Sequence, residues 1–438
     1  MSGLEIGFLS LAVMMVLIWV GMHVAVALTL FSFIGVWLLK GSAVVASGLL
    51  AKAASDTVAQ HIFGVVPLFV LMGFLVSVAD IGRDAFEVAN QAFRRLRGGL
   101  GIATVAANAV FAAITGISIA SAAVFTRVAV PEMLRYGYTP QFATGVVAGS
   151  SVLGMLIPPS LLMILYGFLS EQSVGDMFIA GIVPGIILAV AYALGILAMA
   201  RWWPDFVGRA ALDAKIAPAD RMGMGEIAVK IVPIIFLIGL VLGGIYAGWF
   251  TATDGGAIGA LGALLIALGR KRLDRAKFWQ VLVETGHVTV SVAFLIIAAS
   301  IYTRMLTLSG VPQFLVEEIA HGGFGLIGFL AIYITIIIVM GCFIDSSSIM
   351  LIVLPLMLPI ATGFQLNMIW FGVITVVAVE IGLLTPPFGL SVYVIKSTLN
   401  DPRVGLGVVF RGAMPFAVIM LATLLLLMAW PRLSLVLL

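Results

Sequence analysis

Two short stretches carry the backbone features best suited to holding an ion. Gly154-Met155-Leu156-Ile157-Pro158-Pro159-Ser160 lies inside one long apolar segment. Gly382-Leu383-Leu384-Thr385-Pro386-Pro387 lies inside another, near the opposite end of the chain. Each Pro-Pro pair removes two amide donors and clashes with the preceding turn, so a continuous helix cannot pass through either motif. In lipid, a broken backbone persists only where protein or a water-filled cavity surrounds it. Its freed carbonyls and half-helix ends then become available to ions or to an anionic substrate, the arrangement of a transporter with a midplane site.

Upstream of each break is a turn rich in small and hydroxylated residues. The first runs Thr115-Gly116-Ile117-Ser118-Ile119-Ala120-Ser121, the second Gly341-Cys342-Phe343-Ile344-Asp345-Ser346-Ser347-Ser348. Serine, threonine and backbone carbonyls supply the oxygen ligands that hard cations need; equally, small residues let helices pack closely in lipid. Two serine-rich turns, each preceding a Pro-Pro break by a similar distance, favour the ion-binding reading. Proline breaks and serines alone do not choose between sodium and protons. Asp345 is the most telling single residue, because a carboxylate at membrane depth is costly and marks a function or a defined partner. It also suits the N-cap of a helix beginning at Ser346. Glu380 is a second carboxylate at depth, read as polarising the second broken helix or as pairing with a neighbour. Arg127 either snorkels to the cytoplasmic face or meets an anionic substrate. His23, His61, His287 and His321 show no ligand spacing and read as interfacial, and Cys342 as a packing residue.

The elements that must carry these turns follow from composition. Of 438 residues, 62% are hydrophobic and 10% charged, with a mean hydropathy of +1.22. That excludes soluble and disordered classes. Apolar runs long enough for about 30 Å of hydrocarbon recur, which predicts an all-α polytopic membrane protein in contact with lipid. No alternating ten-residue pattern of a barrel is present. A net charge of +3 gives no support to a nucleic-acid partner. The two Pro-Pro motifs set an offset of 228 (382 − 154), which also places Asp80-Ile81-Gly82 on Leu308-Ser309-Gly310. The chain therefore reads as a duplication, residues 1–220 and 221–438. Spans are expected near 4–20, 22–39, 57–79, 138–169 and 175–200, then 226–248, 253–269, 286–308, 366–396 and 404–430. The stretches 99–134 and 323–362 read as re-entrant hairpins, and 83–97 and 311–321 as amphipathic interfacial arms. Five crossings per half make the halves inverted. Arg94, Arg95, Arg97, Arg135, Arg201, Arg209, Lys215, Arg221, Arg270, Lys271, Arg272, Arg275, Lys277, Lys396 and Arg403 then share one side. Glu171, Asp176, Asp254, Glu317 and Glu318 gather on the other, a positive-inside pattern that puts the N-terminus outside the cytoplasm.

Several motifs resemble one family. Pro131-Glu132-Met133, Gly137-Tyr138, residues 154–160, Tyr166-Gly167 and Phe178-Ile179-Ala180-Gly181-Ile182-Val183-Pro184-Gly185 are similar to a first-half signature. Asp345, Pro355, Pro359, Gly363 and the run Glu380-Ile381-Gly382-Leu383-Leu384-Thr385-Pro386-Pro387-Phe388-Gly389 are similar to the second-half one. The family is the large membrane (DctM-like) subunit of tripartite ATP-independent periplasmic transporters, and the likeness covers nearly the whole chain. It implies a sodium-driven elevator in the bacterial inner membrane, with a periplasmic N-terminus. The implied partners are a separate small DctQ-like membrane subunit and a periplasmic DctP-like binding protein that delivers a small organic acid. With the first span starting near residue 4, the small subunit is not expected to be fused here. Sodium ions are the expected coupling ions, with no other cofactor and no transition metal. The first sodium site is expected from Thr115, Gly116, Ser118 and Ser121 with Gly154, Ile157, Pro158 and Ser160. The second is expected from Gly341, Asp345, Ser346 and Ser347 with Gly382, Thr385 and Pro386. Substrate contacts fall to Ser118, Ser160, Ser347, Ser348, Thr385 and Arg127. The competing reading is a stand-alone ion-coupled carboxylate carrier or proton exchanger on the same plan. No nucleophile–base pair, metal-protease motif or phosphate loop supports an enzyme or a nucleotide-driven pump.

Overall fold

The computed structural model describes residues 2–60, 64–213, 222–321 and 325–438, apart from the side chains of 213 and 319–321. His61, Lys215, Arg221, residues 323 and 324 and the expected boundary at 220/221 lie outside the described residues. Among those described every regular element is helical, as expected of a chain that must satisfy its backbone internally in an apolar medium. Six of these helices are long and apolar enough to cross a membrane: Val174–Trp202, Met224–Tyr246, Ala252–Gly269, Arg275–Ser309, Ser346–Gly363 and Leu406–Ala429. Shorter apolar helices and two bent pairs fill the rest. One bent pair, Pro140–Leu156 with Leu161–Ser170, turns by 40° at the first Pro-Pro motif.

Helix boundaries recur along the chain. Ser118–Arg135 and Ser346–Gly363 begin 228 residues apart (346 − 118), as do Val24–Lys40 and Ala252–Gly269. Met368–Leu384 stands at the same distance from Pro140–Ser151 and its short continuation Leu153–Leu156. One pair of segments differs. The single 35-residue helix Arg275–Ser309 corresponds to two helices, Ala43–Val58 and Val65–Val78. Reading the apolar runs placed only a span at 57–79 here and missed Ala43–Val58. Ser47, Lys52, Ser55 and Asp56 interrupt its apolar run. It packs through the buried Ala46 and Ala53, and the Ser42 cap on Val45 N and the Arg304–Asp56 ion pair at 2.9 Å add to its hold.

Both expected hairpins fold back on themselves. In the first, Gly99–Thr115 and Ser118–Arg135 run antiparallel, bringing Ser121 to Asn108, Phe125 to Phe111 and Met133 to Thr104. In the second, Gly325–Gly341 returns as Ser346–Gly363, with Phe329 and Phe364 stacked at 5.4 Å. The first amphipathic arm is the helix Ile81–Phe93. Asp80 pairs with Arg272 at 3.3 Å, Asp84 with Arg270, and Glu87 with Lys230 at 2.7 Å. Gln91 adds two hydrogen bonds to the Met222 backbone. The arm is thus clamped to the loops and helix ends of the other half. The second arm, Val311–His321, meets the first helix, Gly3–Trp19, through Phe314 and Phe8.

Candidate ion and substrate site

Each hairpin tip is seated against one Pro-Pro break by backbone. At the first, Gly116 closes the helix in the left-handed conformation (φ +66°), and a Cβ there would lie 2.3 Å from the Pro159 carbonyl oxygen. Only glycine permits both the dihedral and the approach. The Gly116 carbonyl then accepts the amide of Leu161 at 3.2 Å, just beyond the prolines. A Cβ on Gly154 would meet Ile117 and Ser118 backbone at 3.2 Å. At the second tip the Cys342 carbonyl accepts the Phe388 amide at 3.2 Å, again just beyond the prolines. Gly341 and Gly382 pack backbone to backbone there, so that a Cβ on either would fall within about 2.6 Å of the other's Cα. Both Pro158-Pro159 and Pro386-Pro387 bonds are cis.

The side chains expected to bind ions divide into three kinds. Some serve the backbone. Ser160 caps Leu161–Ser170 by accepting from Met163 N and donates to the Met155 carbonyl, and Thr115 donates to the Phe111 carbonyl at 2.9 Å. Asp345 caps Ser346–Gly363, its carboxylate accepting the Ser347 and Ser348 amides at 3.1 Å each. Thr385 donates to the Gly382 carbonyl at 2.8 Å and lies 3.0 Å from the Cys342 sulfur. A second kind turns inward. Ser121 donates to Asn108, whose amide donates to Ser150 at 2.5 Å, a buried chain that ties the hairpin to the helix Pro140–Ser151. Ser346 donates to Glu380 at 3.1 Å. A third kind lines space. Thr115, Gly116, Pro159 and Ser160 border a narrow gap between tip and break. Ile157 and Pro158 form the break itself, as Pro386 does at the other end.

The residues expected at the substrate are not gathered in one cavity. Asp345 and Ser348 face a cavity of about 650 Å³ that Trp19, His23 and Leu295 also line. Arg127 and Thr115 face another of about 400 Å³, opposite Ser77, Lys277, Gln280 and Glu284. Each cavity lies between a hairpin and helices outside the hairpins. Arg127 is exposed and brings a guanidinium to its cavity, while Asp345 brings the carboxylate to the other. Among the described residues no group of His, Cys, Asp and Glu is arranged to hold a metal ion. Asn108 and the position of Glu380 between both hairpins escaped the sequence reading. A lone asparagine or glutamate inside an apolar helix announces no partner, and its neighbours here come from 42 and 34 residues away.

Residues 11–433 match the family model described as tripartite ATP-independent periplasmic transporter, DctM component. The chain is 34% identical to the C4-dicarboxylate TRAP transporter large permease protein DctM of Pseudomonas aeruginosa, over 89% of this chain and 88% of that one. It is 27% identical to the sialic acid TRAP transporter large permease protein SiaM of Vibrio cholerae, over 85% of each. The solved YdaH transporter of Alcanivorax borkumensis shares the fold, with a TM-score of 0.60, 12% identity and 87% of each chain covered. The family is one of transporters and not of enzymes. This chain, with its apolar helices, paired hairpins and Pro-Pro breaks, belongs to the DctM component family of tripartite ATP-independent periplasmic transporters.

Proposed function

We propose that this large permease subunit imports a small organic acid, a dicarboxylate in the first instance, across the bacterial inner membrane, driven by sodium. The observation that carries the reading is that each hairpin tip is seated on one Pro-Pro break through a backbone hydrogen bond just beyond the prolines. Such a seat leaves carbonyl and hydroxyl oxygens of the tip and the break side by side, which suits a hard monovalent cation without a fixed charge. One sodium would lie between Gly116–Ser121 residues and 154–160, the other between Gly341, Asp345 and residues 382–386. Substrate would meet Ser348 through one cavity and Arg127 through the other as the hairpins pass the surrounding helices. The clamped arm Ile81–Phe93 supports an elevator: it anchors a fixed scaffold, with a periplasmic N-terminus, past which two inverted repeats carry the hairpins. The name of the Pseudomonas relative supports a dicarboxylate. The family's architecture supports a small membrane subunit and a periplasmic binding protein as partners.

Reconstituted uptake tests this. Proteoliposomes are given an imposed sodium gradient and a panel of organic acids, with the two partner proteins present or omitted. Uptake that requires sodium, the binding protein and the small subunit together is the expected result. Sodium-driven uptake by this chain alone would replace it with a stand-alone carrier. Uptake indifferent to sodium would remove the ion assignment.

A further inference from the structure

His23 stands at the N-cap of Val24–Lys40, its carbonyl accepting the Ala27 amide at 3.0 Å. The position 228 residues on is Thr251, which caps Ala252–Gly269 in a closed capping box with Asp254. Histidine is a poor cap, and no side-chain hydrogen bond joins His23 to its helix. Its ring lies instead against Phe294, centroids 6.5 Å apart and planes 18° from parallel. Stacking fixes the plane of the ring and leaves the two nitrogens on its edge unused. Among the described residues His23 has no hydrogen-bond partner for its ring. Nor is its neighbourhood a closed core, because His23 and Trp19 are both exposed and both line the cavity of about 650 Å³. That cavity is mostly apolar. Of the described side chains around it, His23, Trp19 and Ser348 can donate a hydrogen bond, and Asp345 brings the one carboxyl group.

A few placed donors in a largely apolar cavity are what orients and selects a small ligand. We propose that His23, with Trp19 beside it, takes a carboxylate group of the organic acid from outside the hairpins. The ring N–H of a neutral imidazole suffices as donor, and the Trp19 indole N–H supplies a second. Asp345 already accepts the Ser347 and Ser348 amides, and like charge turns the acid away from it and toward the two donors. Both donors belong to the part of the molecule built on the long helix Arg275–Ser309. A Cβ on Gly7 would fall 2.6 Å from Ser309 Oγ, and one on Gly35 2.9 Å from the Met305 side chain. His23 therefore does not travel with the hairpins: it meets the acid only while this cavity is open to it, and selects at that step. The assignment rests on the organic-acid reading above and adds to it a selecting residue outside both Pro-Pro motifs.

Equilibrium binding to the purified full chain in sodium buffer tests this. The probe is labelled succinate, or whichever acid of the uptake panel the wild-type protein carries, with the neutral diamide of the same acid as competitor. His23→Phe keeps the stack on Phe294 and removes the donor. It should weaken binding of the acid about tenfold, the loss of one hydrogen bond to a charged group, and leave the diamide unaffected. His23→Gln, which restores an N–H, should recover part of the loss. Trp19→Phe should weaken the acid several-fold by itself, and it reads the same site if the His23 variants fold poorly. Acid binding unchanged in both His23→Phe and Trp19→Phe would overturn the proposal. Equal weakening of acid and diamide would overturn it too, by showing a merely structural role. Wild-type protein that takes up no acid would overturn the organic-acid reading and this assignment with it. Wild-type uptake alongside unaltered variants would overturn this assignment alone.

Discussion

Replacing Gly116 by alanine would place a methyl group 2.3 Å from the Pro159 carbonyl and force a non-glycine residue into the left-handed region. Backbone strain of that kind costs of order 1–3 kcal/mol, and the contact adds to it. Thermal unfolding of the detergent-solubilised Gly116→Ala protein should show the loss, and if sodium binds at the first tip, uptake should also depend on it more weakly. Asp345 separates two roles in one residue. Its carboxylate caps a helix, a contribution of about 1 kcal/mol that asparagine preserves and alanine does not. If the residue also binds sodium, Asp345→Asn keeps the folded hairpin while its sodium affinity falls at least tenfold. Unchanged sodium dependence in a stable Asp345→Asn protein would reduce Asp345 to a cap. Sequence reading already held both roles for Asp345, because an acid before Ser346 at membrane depth is legible as either. It did not show that Ser160, with equally suitable chemistry, is committed to Met155 and Met163.

At the level of elements, the arm Ile81–Phe93 is kept in place by charges from elsewhere in the chain. Asp84 with Arg270 is the most buried of these pairs, the side chains 16% and 21% exposed, whereas pairs nearer the surface add little. Arg270→Gln should therefore cost about 1–3 kcal/mol through the unpaired carboxylate. Amide exchange should quicken across residues 81–93 ahead of the hairpins. The helix Ala43–Val58 is tied down in a pH-sensitive way. The Arg304 hydrogen bond holds the Asp56 carboxyl below the usual carboxylate range, with desolvation opposing it. A depressed carboxylate contributes stability above its ordinary range and loses it as pH falls through the folded value. Thermal stability should thus fall on acidification, and Asp56→Asn should flatten that part of the profile. The arm was legible as a run of mixed apolar and charged residues. Its clamp was not, because Arg270, Arg272 and Lys230 are some 140 to 190 residues away in sequence. Ala43–Val58 was invisible to hydropathy because its apolar face is narrow, with Ala46 and Ala53 buried and Leu49 packed beside them, and polar residues interrupt the run.

For the molecule as a whole, the Pro-Pro spacing predicts a duplication at an offset of 228, and several helix boundaries recur at that spacing. What spacing could not convey is which hairpin faces which neighbour. Trp19 and Phe343 stand edge to face, ring centroids 6.0 Å apart, where the first helix meets the second hairpin tip. If the hairpins slide past that helix, the paired substitutions Trp19→Cys and Phe343→Cys in a Cys342→Ser background should trap one position. A short cleavable thiol cross-linker is expected to stop uptake and a reductant to restore it. Full-rate uptake through fully cross-linked protein would argue that the two parts never separate. The natural chain offers a gentler probe of the same event. It contains one cysteine in 438 residues, and that residue, half-buried, sits at the second tip with its sulfur beside Thr385. Any maleimide added to the unmodified protein therefore has one place to react, so alkylation kinetics read the opening of that tip directly. If sodium closes the tip, it should slow the labelling, and the protein needs no engineering to report it.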